Sequence, residues 1–286
     1  MKPSETSHYV HGSESDEQSR LSTLNSLINS SSLRELHLRG GEMVLDVGSG
    51  LGQLTRAMAK TVGRVIGIER DPSQIAECRR LAVLDGEEKT IDIRQGDVSA
   101  FPLHDNEWGM FDVTHSRFLL EHVPDPQIVV DQMVKAARPG GRIVLEDDDH
   151  DLLRLWPEPE GVYAVWDAYC RSYTARGNDP LIGRKLGSLL HRAGATLIRS
   201  TWIYFGACAG EEEFPLYVDN LSSILEGART HMVQSKLATD EMIARGVASL
   251  RLWKNRPDAV FWYARAWVEG RKEGGNAKTR KAKRGR

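Results

Sequence analysis

Val44-Leu45-Asp46-Val47-Gly48-Ser49-Gly50-Leu51-Gly52 is the stretch whose reading decides the fold. An apolar run enters three glycines spaced two apart, with Ser49 between the first two, and leaves into a helical pattern over Leu54–Thr61. Glycine permits positive φ and lets a ligand approach the backbone with no Cβ in the way. Dinucleotide-binding loops carry G-x-G-x-x-G at this place. Here the spacing is G-x-G-x-G, and Asp46 stands two residues before the first glycine. A carboxylate there suits a ligand with an ammonium group better than a pyrophosphate.

Outward from this loop, short apolar runs alternate with helical stretches from Gly40 to Leu145, the pattern of a parallel sheet with crossover helices. Strands are expected at Met43–Val47, Arg64–Glu69, Ile91–Arg94, Phe111–Thr114 and Arg142–Glu146. Helices are expected at Leu54–Thr61, Ser73–Leu84 and Pro126–Ala137, with Pro139-Gly140-Gly141 turning the chain into the fifth strand. Later, Val162–Thr174 and Ile182–Ala193 read as helical and Thr196–Phe205 as a strand. Glu211–Lys254 reads as helical throughout, and Ala259–Val268 as a last strand. Thr239 is the expected N-cap of a helix whose stripe is Met242, Ile243, Val247 and Leu250. The segment between the last two strands far exceeds a hairpin, so 211–254 is an inserted helical cap.

Three strand ends carry candidate ligand groups. Glu69, in Val65-Ile66-Gly67-Ile68-Glu69-Arg70-Asp71, can accept from both hydroxyls of a ribose. In Gly96-Asp97-Val98, Asp97 can accept from an adenine amine, and the Val98 amide can donate to a ring nitrogen. His115 follows the fourth strand, in His115-Ser116-Arg117-Phe118-Leu119-Leu120-Glu121-His122-Val123.

Together these segments resemble the class I methyltransferases that use S-adenosylmethionine, especially the small-molecule branch that includes the ubiquinone/menaquinone-biosynthesis type. The resemblance covers roughly Tyr9 to Arg271 and is strongest from Val44 to Glu146; Leu119–Val123 and Arg138-Pro139-Gly140-Gly141 extend it. It implies an α/β, Rossmann-like fold: a seven-stranded, mostly parallel sheet with the last strand antiparallel, plus helical cap insertions. It also implies S-adenosyl-L-methionine as cofactor, with Asp46, Gly48, Ser49, Gly50 and Gly52 at its methionine part. Glu69 and Arg70 then lie at the ribose, Asp97 and Val98 at the adenine, and His115 by the reactive methyl. Tyr9-Val10-His11-Gly12 through Arg20-Leu21 resembles a segment that covers the cofactor, so 1–39 is expected to be that cover and 40–270 the methyltransferase domain.

The acceptor is narrowed by what the chain lacks. It has no Asn/Asp-Pro-Pro-Tyr signature for base amines, no cysteine in the stretch directly after the fourth strand, and no Tyr-x-x-x-Lys pair of a short-chain dehydrogenase. Eight Lys or Arg against one Glu between Arg271 and Arg286 give that tail a net of +7. The rest of the chain is then near −9 within the formal −2, against a phosphate-tracking surface. The tail 271–286 reads as disordered and basic. The expectation is a small-molecule acceptor, no nucleic acid and no membrane, with a homodimer left open. An RNA or protein methyltransferase docking through the tail, and a non-catalytic S-adenosylmethionine-binding protein, are the alternatives. The polar N-terminus lacks a signal peptide's apolar core, so a cytoplasmic location is expected. Cys78, Cys170 and Cys208 form neither a disulfide framework nor a zinc ribbon.

Two histidines are expected near the acceptor. His115 is the first choice of base. His150 is second, because the run Glu146-Asp147-Asp148-Asp149 beside it would hold it protonated. No metal is assigned to that run, since neighbours in a strand point to opposite faces and cannot converge. Trp166, Tyr169 and Tyr173 have helical spacing and read as core.

Overall fold

The computed structural model describes residues 28–274. The expected N-terminal cover at Tyr9–Leu21 lies outside the described residues, as do 275–286 of the tail expected over 271–286; Arg271 and Lys272 of that tail instead belong to the last strand, paired with Arg142 and Ala195. Residues 28–36 are helical (α1). Then follow β1 (Val44–Val47), α2 (Gln53–Val62), β2 (Val65–Glu69), α3 (Pro72–Leu84), β3 (Ile91–Gln95), β4 (Phe111–Arg117), α4 (Pro126–Ala136) and β5 (Ala137–Asp148). The second half comprises β6 (Arg154–Trp156), α5 (Val162–Thr174), α6 (Leu186–Arg192), β7 (Ala195–Cys208), α7 (Phe214–Gly227), α8 (Arg229–Gln234), α9 (Asp240–Trp253) and β8 (Val260–Lys272).

The sheet runs β3-β2-β1-β4-β5-β8, with β7 on the outer side of β8 and the short β6 beside the start of β8. Strands β1 to β5 are mutually parallel, and β8 is antiparallel to both β5 and β7. This is the Rossmann-like arrangement with its last strand reversed, and β6 is an eighth strand that the sequence pattern does not announce. Three residues are too few to display an alternation.

Local chemistry starts the crossover helices where the pattern places them. Asp71 caps α3 by accepting from the amides of Ser73 (2.7 Å) and Gln74 (3.4 Å), and Pro72 takes the first helical position, where no N–H is needed. Asp125 and Pro126 repeat this device for α4. Both faces of the central strands are buried, whereas much of the outer β7 is exposed. Val44, Val113, Val144 and Trp267 pack under α1 and α2, and Leu45, Ile143, Leu145 and Val268 pack under α4 and α6.

Three boundaries differ from expectation in ways that matter for function. Strand β4 continues through Arg117, because its polar residues find partners on both sides: Asp46 pairs with His115, and His115 with Val144. His115 therefore lies inside the strand, not past its end. Strand β5 runs to Asp148, two residues further than expected. The stretch 211–254 is not one helical run but α7, α8 and α9, broken at Ala228 and again at 235–239, where Lys236 takes φ 55°. Thr239 caps α9 as expected, accepting from the Met242 amide at 3.1 Å.

The cap helices share one apolar core with β6, β8 and α5. Phe214, Tyr217, Val218 and Leu221 of α7 join Val247, Leu250 and Trp253 of α9 against Val162, Phe261 and Tyr263. Trp253 also donates to the Pro157 carbonyl at 2.6 Å.

Candidate functional site

The loop after β1 is built as its glycines require: Gly48, Gly50 and Gly52 all have positive φ, at 77°, 55° and 71°. Gly52 is also fixed by contact, since a Cβ there would meet Cys78 Sγ at 2.0 Å. The amides of Gly48 and Ser49 both donate to the Ile68 carbonyl at 2.9 Å, which ties the loop to β2. Glu69, at the end of β2, reaches back to the loop. Its Oε2 accepts from the Gly50 amide (2.9 Å), and its Oε1 from the amides of Arg70 (2.8 Å) and Asp71 (2.9 Å). A carboxylate has about four lone-pair sites, so three donors leave one for a ligand. Ser49 Oγ is enclosed and has no hydrogen-bond partner.

Beyond β3, Asp97 accepts from the Ser99 amide at 2.7 Å, and bonds from Ser99 hold its carboxyl below the usual range. The Val98 carbonyl accepts from Gln132 Nε2 at 3.3 Å. The Arg70 side chain is exposed. Gly48, Ser49, Gly50, Gly52 and Glu69 are thus joined at the ends of β1 and β2 with Asp46 buried behind them, and Gly96-Asp97-Val98 follows the end of the adjacent β3.

A buried polar chain crosses the sheet behind the loop. Asp46 Oδ2 accepts from Thr55 Oγ1 (2.5 Å), and its Oδ1 lies 3.0 Å from His115 Nδ1. His115 Nε2 faces Glu146 Oε2 at 3.8 Å. Glu146 Oε1 accepts from Arg265 and from Ser32 Oγ of α1 (3.0 Å). Arg117 in turn donates to Ser32 Oγ (3.1 Å) and Asn29 Oδ1 (2.8 Å). His115, Glu146 and Arg265 are fully buried. Burial alone would lower the His115 pKa, but Asp46 and Glu146 outweigh it and raise it. Burial would raise the Glu146 carboxyl, but the charge of Arg265 leads the groups that bring it down to about 2.

A second cluster lies past the carboxyl ends of β4 and β5. Glu121, on the turn Leu120–His122, brings Oε2 to 3.0 Å from His150 Nε2. Glu121, Asp148 and His150 each offer one ligand atom within 4.8 Å of the others. As expected, the run 146–149 does not converge by itself. Asp148 comes to one face, while Asp147 on the other accepts from the amides of Leu119 (3.2 Å), Leu120 (2.8 Å) and Asp148 (3.0 Å). Asp149 is taken by Arg184 at 2.6 and 2.7 Å. Burial pushes Glu121 up to about 8, and burial together with the Glu121 charge raises Asp147 and Asp148 well above the carboxylate range.

The two histidines stand opposite to expectation. Desolvation lowers the His150 pKa and outweighs the carboxylates around it, so the neutral imidazole is favoured. Trp166, Tyr169 and Tyr173 are core, as their spacing predicts. They pack on His150 with ring centroids 5.2, 5.8 and 5.2 Å away. Sequence reasoning did not find Arg265 or the role of Glu121. One was a charge within an aromatic strand, the other a residue of a stretch noticed only for its resemblance. A separate groove of about 630 Å³, lined by Arg154, Trp156, Glu158 and Trp262 among others, shares no residue with either cluster.

Residues 45–145 match the model of the methyltransferase domain family. Over those residues the chain is similar to methyltransferase domains. It is 40% identical over 103 residues to the ubiquinone biosynthesis O-methyltransferase of Pectobacterium atrosepticum, covering 36% of this chain and 41% of that one. The chain spans 52% and 41% of the length of two curated relatives it matches, about half or less. Among solved structures, the YcgJ protein of Bacillus subtilis superposes with a TM-score of 0.56 at 15% identity, covering 87% of this chain and all of that one. A geranyl diphosphate C-methyltransferase from Streptomyces coelicolor A3(2), solved in complex with S-adenosyl-L-homocysteine, gives 0.53 at 12% identity, covering 87% and 77%. At these identities the structural matches carry the fold.

Proposed function

We propose that this protein transfers a methyl group from S-adenosyl-L-methionine to a small-molecule acceptor. The observation that carries this reading is the joined surface of the glycine loop and Glu69, on a domain that matches the methyltransferase family. The surface fits the donor: a left-handed glycine cradle, an enclosed Ser49 Oγ without a partner, and a carboxylate with one acceptor site in reserve. Gly48, Ser49, Gly50 and Gly52 would hold the methionine part with Asp46 behind them, Glu69 and Arg70 the ribose, and Asp97 and Val98 the adenine. When bound, the donor supplies an activated sulfonium methyl.

The chain's own residues then act mainly by orientation. Holding reactants in line can contribute about 7–11 kcal/mol, and the leaving group needs no further activation. His115 is a positioning group. Buried inside β4 with its nitrogens toward Asp46 and Glu146, it fixes the carboxylate beneath the loop. The acceptor side is the cluster at the ends of β4 and β5, against which α5 packs Trp166, Tyr169 and Tyr173.

The test is mass spectrometry of a broad panel of phenol, amine and carbon-acid acceptors incubated with protein and donor. The reading expects one acceptor class to gain a methyl group, with equimolar S-adenosylhomocysteine released. Donor binding without turnover on any class would instead favour a non-catalytic binding protein.

A further inference from the structure

We propose that Glu121, Asp148 and His150 form a binding site for one divalent metal ion of the zinc or manganese class. The three residues come from three different elements: the turn after β4, the end of β5 and the turn His150–Leu152. Their ligand atoms lie within 4.8 Å of one another. Two carboxylates and one imidazole form a mixed oxygen and nitrogen donor set, which suits zinc or manganese better than calcium. Three protein ligands also leave coordination positions open.

Two independent features point to a missing cation. First, the carboxylates of Glu121 and Asp148 meet here; Glu121 has the imidazoles of His150 (3.0 Å) and His122 (3.4 Å) beside it, and among the described residues no Lys or Arg forms an ion pair with either carboxylate. The nearby arginines are committed elsewhere: Arg184 to Asp149 and Asp151, and Arg265 to Glu146. Buried carboxylates are ordinarily paired or metal-bound. Second, enclosed polar atoms lack partners. His150 is only 4% exposed, yet among the described residues its Nδ1 has no hydrogen-bond partner, and neither has the enclosed Asp148 Oδ1. The imidazole is held in place from outside the cluster. Trp166 donates to the His150 carbonyl at 2.9 Å and stacks on its ring.

The position gives the ion a use if the proposed methyl transfer holds. It would lie past the ends of β4 and β5, where it could bind and acidify a hydroxyl-bearing acceptor. The site itself does not depend on that reading.

The experiment uses the full chain stripped of metal by chelation, titrated with Mn²⁺ and followed by electron paramagnetic resonance, with Zn²⁺ as competitor. Asp148→Asn is the primary variant, because the Asp148 side chain makes no hydrogen bond that the fold needs. His150→Gln is the second, and the surface change Asp167→Asn is the control. One equivalent of Mn²⁺ should bind, displaced by Zn²⁺. Each site variant should weaken binding at least about tenfold and the control should not, since even outer supports of metal sites carry such losses. Mn²⁺ should also raise the melting temperature of the wild type but not of Asp148→Asn. No saturable binding up to millimolar Mn²⁺, or binding unchanged in both site variants, would overturn the proposal. S-adenosylhomocysteine affinity is measured on the same samples. If it is retained while metal binding is absent, only the metal site fails; metal bound to protein that ignores the nucleoside would sink the functional reading alone.

Discussion

Glu69 accepts three backbone N–H bonds, so it supports the loop itself, besides the ribose contact proposed for it. Glutamine cannot replace it, because its amide NH₂ would face a backbone donor at either oxygen position. Glu69→Gln should therefore behave like Glu69→Ala in both assays. Each should weaken nucleoside binding and cost stability, at about 1–3 kcal/mol for donors left unpaired. Calorimetry and thermal melts of the two variants check this, and a Gln variant as good as wild type would refute it. His115→Gln should lower donor affinity and stability while leaving the shape of the pH–rate profile unchanged. A lost acid limb would restore His115 as the base. The place of Glu69 was legible because it depends on one position in the chain, the end of the strand after a glycine loop. That of His115 was not. Its partners Asp46 and Glu146 come from neighbouring strands, and β4 was read as ending at its first run of polar residues.

Among the elements, the lead into β4 offers a test by pH. Arg94 of β3 forms a forked pair with Glu107 at 2.6 and 2.7 Å, pinning the turn Asp105–Glu107. Bonds from Arg94 bring the Glu107 carboxyl down to about 2 from an ordinary 4.5. A depressed carboxylate stabilises the fold fully above its unfolded value, and the gain is lost as pH falls through the folded one. The melting-temperature gap between wild type and Glu107→Gln should thus be full at pH 6–7 and close between about pH 4.5 and 2. A gap independent of pH would contradict it. The cap gives a second test. Its helices were legible from their stripes, but their dependence on the rest was not, because the shared core joins residues far apart in sequence. Phe214, Tyr217, Leu221, Val247, Leu250 and Trp253 are buried against α5 and β8. At roughly 1.5–3 kcal/mol each, they rival the whole stability of a typical domain, about 5–15 kcal/mol. Replacing 211–254 by a short turn should therefore abolish cooperative unfolding, not merely turnover. A sharp thermal transition in that variant would show the cap to be separable.

For the molecule as a whole, the parallel sheet with its crossover helices follows from the alternation of apolar runs with helices, and the proposed ligand surface from where the first three strands end. Tertiary pairing supplied the rest: the polar chain from Thr55 to α1, and the cluster that draws Glu121 toward Asp148 and His150. No helix among the described residues is long and apolar enough to cross a membrane. The central claim is that the glycine loop and Glu69 bind the methyl donor. Isothermal titration of the full chain with S-adenosylhomocysteine, beside NAD⁺ and the Glu69→Ala variant, tests it most directly. The account predicts one-to-one binding to the wild type, at least about tenfold weaker binding to Glu69→Ala after losing one charge-assisted bond, and no heat from NAD⁺. Equal affinity in the variant, or saturable NAD⁺ binding, would contradict it.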